Sequence, residues 1–266
     1  MKRILLLAAG AMIAGIAMPA AAADLRPFCA TRPSLGAGAC VVDVGHAMVE
    51  VGVADWQREQ DGEQRTDTLI GSDLLLRYGL APHTEVQLGW TAIGREWMQD
   101  ASGRSRQTRI GDVSLAVRRN LGHPDGEGFN LAVQPFVTIP VGRLPIGGGT
   151  WAAGAILPVG YQINDAVQVQ FTGEVDAAAD EVGAGRHFAY SGIMGLAVAL
   201  SDTVSTTTEV MVERDRDPAG HATTVLAAFS GGYQVNEALQ VDGGTAIGLN
   251  ADTPDVRLFV GFSRRF

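Results

Sequence analysis

The sequence predicts an all-β fold: a transmembrane antiparallel up-and-down β-barrel of about 12 strands with both termini periplasmic. Three observations predict it. An export signal opens the chain, the remainder reads as segments of alternating polarity, and the connections alternate between tight and long.

Residues 1–23 read as a signal peptide. Lys2 and Arg3 form a basic start, an apolar stretch runs from Ile4 to Met18, and Ala21-Ala22-Ala23 offers a small-residue cleavage site before Asp24. Cys29 follows Arg-Pro-Phe rather than small residues, which argues against a lipoprotein signal. Residues 24–45 follow as a Pro/Gly-rich segment expected to lie in the periplasm. It holds the two cysteines of the chain, Cys29 and Cys40. An even count in an exported protein predicts a disulfide between them. Two reduced thiols are the alternative; a metal pair is less favoured, because no His stands at ligand spacing from either.

Residues 46–266 are expected to form the barrel. Twelve alternating segments read as strands at 46–56, 67–80, 84–97, 107–121, 129–141, 150–162, 167–178, 187–200, 204–215, 221–234, 239–250 and 255–266. Each reaches the ~9–11 residues that a tilted barrel strand needs. Connections after the even segments are mostly tight, as in Ala81-Pro82-His83 and Ser201-Asp202-Thr203. Most connections after the odd segments are longer and polar, at 57–66, 98–106, 142–149, 179–186 and 216–220, with 251–254 the short exception. The uncharged run 144–164 has the length of a membrane helix, but Pro145, Pro158 and five glycines break it.

The last segment shows the pattern most clearly. Val256, Leu258, Val260, Phe262 and Phe266 share one face, and Asp255, Arg257, Ser263 and Arg265 the other. Phe259 and Arg264 break the alternation. Tyr161 and Tyr233 lie in the repeated pattern Gly-Tyr-Gln-(Ile/Val)-Asn-(Asp/Glu)-Ala, each just before a tight turn, as does Tyr78. With Phe266 they form an expected aromatic girdle at one membrane interface.

A soluble sandwich also alternates, so the polar face must decide which side meets lipid. The candidate pore-lining residues are Asp73, Arg77, Arg95, Asp112, Arg118, Glu174, Asp176, Glu209, Glu213, Asp242 and Arg257. Glu50, Glu85, Gln87, Gln134 and Arg265 are expected on the same inner face. Val49, Leu76, Leu88, Phe171, Leu196, Val212, Phe229 and Val260 belong to the opposite, apolar face. A charge facing mid-bilayer lipid costs ~2–4 kcal/mol, so the sorting matters. Arginines concentrate in segments one to four and twelve, while segments seven, nine and eleven offer only acids. Such walls would orient a polar solute in a narrow pore.

Charge excludes some partners. Removing Lys2 and Arg3 from 20 basic residues leaves 18 against 29 acids, so the formal charge moves from −9 to −11. Nucleic acid is not an expected partner, and no polybasic segment suits anionic lipid headgroups. No phosphate loop or metal cluster is read, and no cofactor or metal is expected; Gly147-Gly148-Gly149 lacks the Lys-Ser/Thr of a phosphate loop. An enzyme is not expected. His187 and Ser191 share an inward face and could approach one another, but no Gly-x-Ser-x-Gly elbow supports a nucleophile, and a polar rim histidine is the simpler reading.

Several runs together resemble the transporter family described as "putative MetA-pathway of phenol degradation". They include Glu85-Val-Gln-Leu-Gly-Trp90, Gly111-Asp-Val-Ser-Leu-Ala-Val-Arg118, Thr138-Ile-Pro-Val-Gly142 and Pro254-Asp-Val-Arg-Leu-Phe-Val-Gly261. The stretch Cys29-x-x-Arg32-Pro33 closed by Cys40 is similar too. The resemblance spans about Cys29 to Phe266. It implies a barrel in the cell outer membrane that takes up small solutes, aromatic or hydrophobic compounds among them, and assigns no binding residue. A non-conducting barrel with a salt-bridged lumen is the competing expectation. The expected partners are outer-membrane lipid, a small solute and the barrel-assembly machinery, the last through the strand ending at Phe266.

Overall fold

The computed structural model describes residues 25–266; the signal reading of residues 1–23 lies outside them. Thirteen strands form one sheet: β1 (Ala47–Asp61), β2 (Gln64–Ala81), β3 (Thr84–Asp100), β4 (Gly103–Arg109), β5 (Val113–Asn120), β6 (Phe129–Ile139), β7 (Ala152–Asn164), β8 (Val167–Ala179), β9 (Arg186–Ala199), β10 (Val204–Asp217), β11 (Gly220–Asn236), β12 (Leu239–Gly248) and β13 (Val256–Arg265). β4 and β5 both pair with β3, so they are two lengths of one position, and the closed antiparallel barrel has 12. β1 and β13 close it, in register from Met48↔Arg265 to Arg58↔Val256. Closure gives each of the 12 barrel positions a backbone partner on both sides; β4, which extends beyond β5, pairs with β3 alone.

Three connections expected as loops are mostly strand. β1 and β2 pair to Asp61↔Gln64, β3 and β4 to Asp100↔Gly103, and β10 and β11 to Asp217↔Gly220. The reason is physical. Past the lipid nothing demands an apolar face, so the alternation stops while backbone pairing continues. Arg58 and Arg65 lie 2.9 and 2.6 Å from the carboxylate of Asp67 in the first of these hairpins. The fourth expected strand is divided by the Ile110–Asp112 interruption.

The outer surface is apolar. Leu76, Leu88, Phe171, Met194, Leu196, Val210, Phe229, Leu258 and Val260 are all exposed. A water-soluble protein rarely exposes one continuous belt of this kind. Phe129, Tyr161, Tyr233 and Phe266 are exposed near the end where the described chain begins and ends, and Phe129 pairs with Tyr161. Arg264 stands beside Phe266 on this rim, its guanidinium 5.0 Å from the ring centroid, where its charge can reach water. The other exception, Phe259, turns inward and is buried; Gly244 leaves the space its ring occupies.

The buried residues invert a soluble core. Arg77, Glu85, Glu50, Arg118 and Glu209 have 1% exposure or less. What covers them is the chain's own amino-terminal segment. Residues 29–42 do not extend away from the barrel as a periplasmic appendage; they fold into its lumen and bind the inward side chains of β1–β3, β5, β8, β10 and β12. Pro and Gly deny this segment any periodicity, and its partners are polar and charged side chains from strands all around the barrel.

Candidate functional site

The lumen is the candidate site, and the plug formed by residues 29–42 is its central feature. Cys29 and Cys40 are disulfide-linked, with Cα atoms 6.2 Å apart, and close the segment into a loop. Four carboxylates hold it. Glu50 accepts the backbone N–H of Thr31 and Arg32 at 3.0 and 2.9 Å. Glu209 accepts Ser34 Oγ–H at 2.6 Å and Leu35 N–H at 2.8 Å. Glu85 accepts Val42 N–H at 2.8 Å, and Asp242 accepts Arg32 Nη2–H at 2.8 Å. Thr172 Oγ1 accepts Ala37 N–H at 3.0 Å, and Asn120 donates to Ala39 O at 2.8 Å. Charge-assisted bonds of this kind are about twice as strong as neutral ones.

Two buried arginines serve the barrel and the plug together. Arg77 lies 2.9 Å from Glu85 and 3.0 Å from Glu50, and donates to Cys29 O at 2.6 Å. Arg118 lies 3.4 Å from Glu85 and donates to Gln134 Oε1 at 2.7 Å and to Cys40 O at 3.3 Å. Close packing makes particular glycines necessary. A Cβ on Gly36 would stand 2.5 Å from Thr172 Oγ1, and one on Gly261 would stand 2.5 Å from the Arg32 guanidinium.

Above the plug, on the side of the long hairpins, two cavities remain. One of about 210 Å³ is lined by Asp73, Arg257, Phe259 and Glu50. Asp73 accepts Thr91 Oγ1–H at 2.8 Å. The other, about 340 Å³, mixes Leu35, Phe136, Ile156 and Ile193 with Gln87, Arg118 and Glu174. Glu174 and Glu213 both pair with Ser191, which places the three on one inner row. Asp176 lies on the same face of β8, and its Oδ1 is buried without a hydrogen-bond partner.

Two candidate pore residues are placed differently from expectation. Asp112 clamps the β6–β7 connection, accepting Gly142 N–H at 2.8 Å and Gly148 N–H at 2.7 Å. Arg95 shares the outer face. The register of β1 against β13 slips between Gly52 and Ala54, a bulge that inserts Val53. Ser72, beside it on β2, has a positive φ of 56°. Beyond the bulge the faces exchange. Asp55 turns inward to pair with Arg257, while the row Leu258–Trp56–Leu69–Arg95 faces out. Arg95 there lies over Trp97 at 5.8 Å and donates to Thr108 Oγ1 at 3.0 Å.

The expected basic wall is therefore locally neutralised. Arg77 and Arg118 meet Glu50 and Glu85, Arg257 meets Asp55, and Arg265 donates to Arg26 O and Glu237 O. Glu174, Asp176 and Glu213 have no arginine partner among the described residues. Sequence reading missed Asp55 and Asn120, and it gave Thr172 and Arg32 no role. The cysteine pair bracketing Arg32 was the one available signal for the plug. His187 does not meet Ser191: four residues of strand set them roughly 13 Å apart, and three aspartates surround the imidazole.

The family model described as "Putative MetA-pathway of phenol degradation" matches residues 30–266. No curated protein matches. Among solved structures, the COG4313 outer membrane channel from Pseudomonas putida F1 superposes with a TM-score of 0.67 at 14% identity, over 86% of this chain and 98% of that one. The NanC porin gives 0.51 at 8% identity, over 82% and 98% of the two chains. The translocator domain of the autotransporter NalP from Neisseria meningitidis gives 0.51 at 14% identity, over 84% and 89%. At these identities the likeness is one of fold.

Proposed function

The chain belongs to the family described as "Putative MetA-pathway of phenol degradation", and on that premise we propose that it is an outer-membrane channel for small, partly apolar solutes, aromatic compounds among them. One observation carries the reading. The plug occupies the lumen, and beside it lies a cavity of about 340 Å³ whose wall mixes apolar and polar side chains. A space of that size and lining suits one small amphipathic molecule better than a hydrated sugar chain. The relatives named above include a channel and a porin, and the family description names phenol degradation.

In this reading the termini end faces the periplasm and the long hairpins face outward, as barrels of this topology do. β13, ending at Phe266, is the element offered to the barrel-assembly machinery. Asp73, Arg257, Glu174, Asp176 and Glu213 line the open lumen; Arg77, Arg118, Glu209 and Asp242 act on the path by holding the plug. Arg95 and Asp112 have no direct role in permeation. The competing reading is a closed structural barrel, favoured by the completeness of the plug's bonding. Uptake into liposomes containing the folded protein separates them. Entry of a small phenolic carboxylate above its rate into protein-free liposomes, and faster than a disaccharide, supports the channel. No entry of either, with the plug present or removed, contradicts it.

A further inference from the structure

At the long-hairpin end, one histidine is enclosed by carboxylates. His187 is the second residue of β9; Asp180 lies in the β8–β9 connection; Asp215 and Asp217 close β10. His187 Nδ1 is 2.9 Å from Asp180 Oδ1 and 3.4 Å from Asp217 Oδ2. On the other side of the ring, Nε2 is 2.8 Å from Asp215 Oδ1. The residue is only 9% exposed, and its buried Nε2 makes no hydrogen bond within the protein.

A neutral imidazole has one N–H and one lone pair. With carboxylates at both nitrogens, one lone pair must face a negative oxygen. A cation at Nδ1 removes that conflict. Asp180, His187 and Asp217 each offer a ligand atom, with the two carboxylate oxygens 2.9 and 3.4 Å from Nδ1. Ligands of one ion held tetrahedrally at ~2.0–2.2 Å stand about 3.3–3.6 Å apart, so a small adjustment admits the ion. Nε2 is then the protonated nitrogen, 2.8 Å from Asp215 Oδ1, and a small rotation of the ring would let it donate there. A metal-bound histidine generally gives its other N–H to a carboxylate.

The backbone fixes these carboxylates. Asp217 Oδ2, which faces His187, accepts Glu181 N–H at 2.7 Å while its Oδ1 accepts Ala219 N–H at 2.6 Å, and Asp215 Oδ1 accepts Asp217 N–H at 2.7 Å. The ligands are thus held in place by the β8–β9 connection and the β10 hairpin end, two parts of the rim that are separate in sequence.

We propose that Asp180, His187 and Asp217 bind one divalent cation of the zinc type, with Asp215 beside the other ring nitrogen of His187. One imidazole and two carboxylates suit Zn²⁺ better than Ca²⁺ or Mg²⁺, which prefer all-oxygen shells. The bound ion ties the β8–β9 connection to β10 at the mouth of the barrel. This assignment is independent of the solute proposed above.

The test is calorimetric titration of Zn²⁺ into the full, folded, detergent-solubilised protein after chelator treatment. Visible absorption of the Co²⁺ form provides a second readout. One saturable site is expected. His187→Ala and Asp217→Asn should each weaken it at least tenfold, and His83→Ala, at the opposite end, should leave it unchanged. Heat-modifiable migration checks that each variant is folded, and Asp180→Asn serves if Asp217→Asn is not. Absence of saturable binding in the unmodified protein would overturn the proposal, as would unchanged binding in folded His187→Ala. Either result would mean that a proton alone reconciles His187 with its aspartates.

Discussion

Arg77 and Glu85 stand on neighbouring strands with Nε 2.9 Å from Oε1, and neither side chain is exposed to solvent. Their second atoms reach the amino-terminal segment: Arg77 donates to Cys29 O and Glu85 accepts Val42 N–H. One ion pair therefore joins barrel wall and plug. Removing one partner of a buried pair costs about 3–5 kcal/mol, because the other charge is left uncompensated. Arg77→Ala leaves Glu50 in that position and Glu85 with Arg118 alone, 3.4 Å away. The expected outcome is a folded barrel with a loosened plug, seen as faster hydrogen exchange at residues 31–42 and larger, noisier conductance. Unchanged exchange there would contradict the coupling.

Opening the disulfide should act on the same segment. Closing a loop of this length contributes about 3 kcal/mol through lost freedom of the open chain. A Cys29→Ser, Cys40→Ser variant is expected to keep heat-modifiable migration while its plug becomes sensitive to protease added at the termini side. Equal resistance in the variant would show that the carboxylates alone hold the segment.

Gly36 packs against Thr172 with no room for a side chain. Gly36→Val is expected to displace the plug from β8 and raise conductance severalfold, with Thr172→Gly restoring part of the original behaviour. Conductance of Gly36→Val equal to that of the unmodified protein would remove this contact from the account.

Ion selectivity should follow the unpaired acids. Neutralising Glu174 and Glu213 together is expected to reduce cation preference in reversal-potential measurements, while Arg95→Gln leaves it unchanged because Arg95 faces outward. A large effect of Arg95→Gln with none at the two glutamates would reverse the assignment of faces.

Much of the barrel was legible because lipid imposes a strict alternation wherever a strand crosses it. Leu258 and Val260 outside with Arg257 inside is such a signal. It failed where lipid stops, so the paired polar hairpin around Asp61 and Gln64 reads as loop. It also failed at Val53, where one inserted residue exchanges the faces and carries Arg95 out and Asp55 in. The lumen was half legible. Inward charges were visible, but their partners were not, since Glu209 and Ser34 are 175 residues apart in sequence. The plug has no periodicity of its own; its position is fixed by side chains elsewhere.

The central claim is that residues 29–42 sit inside the barrel and limit its pore. Single-channel recording in planar bilayers, comparing the full mature chain with a variant lacking residues 29–42, tests it most directly. The account predicts small unitary currents for the full chain and severalfold larger steady currents for the shortened one. Equal currents from two folded proteins would contradict it.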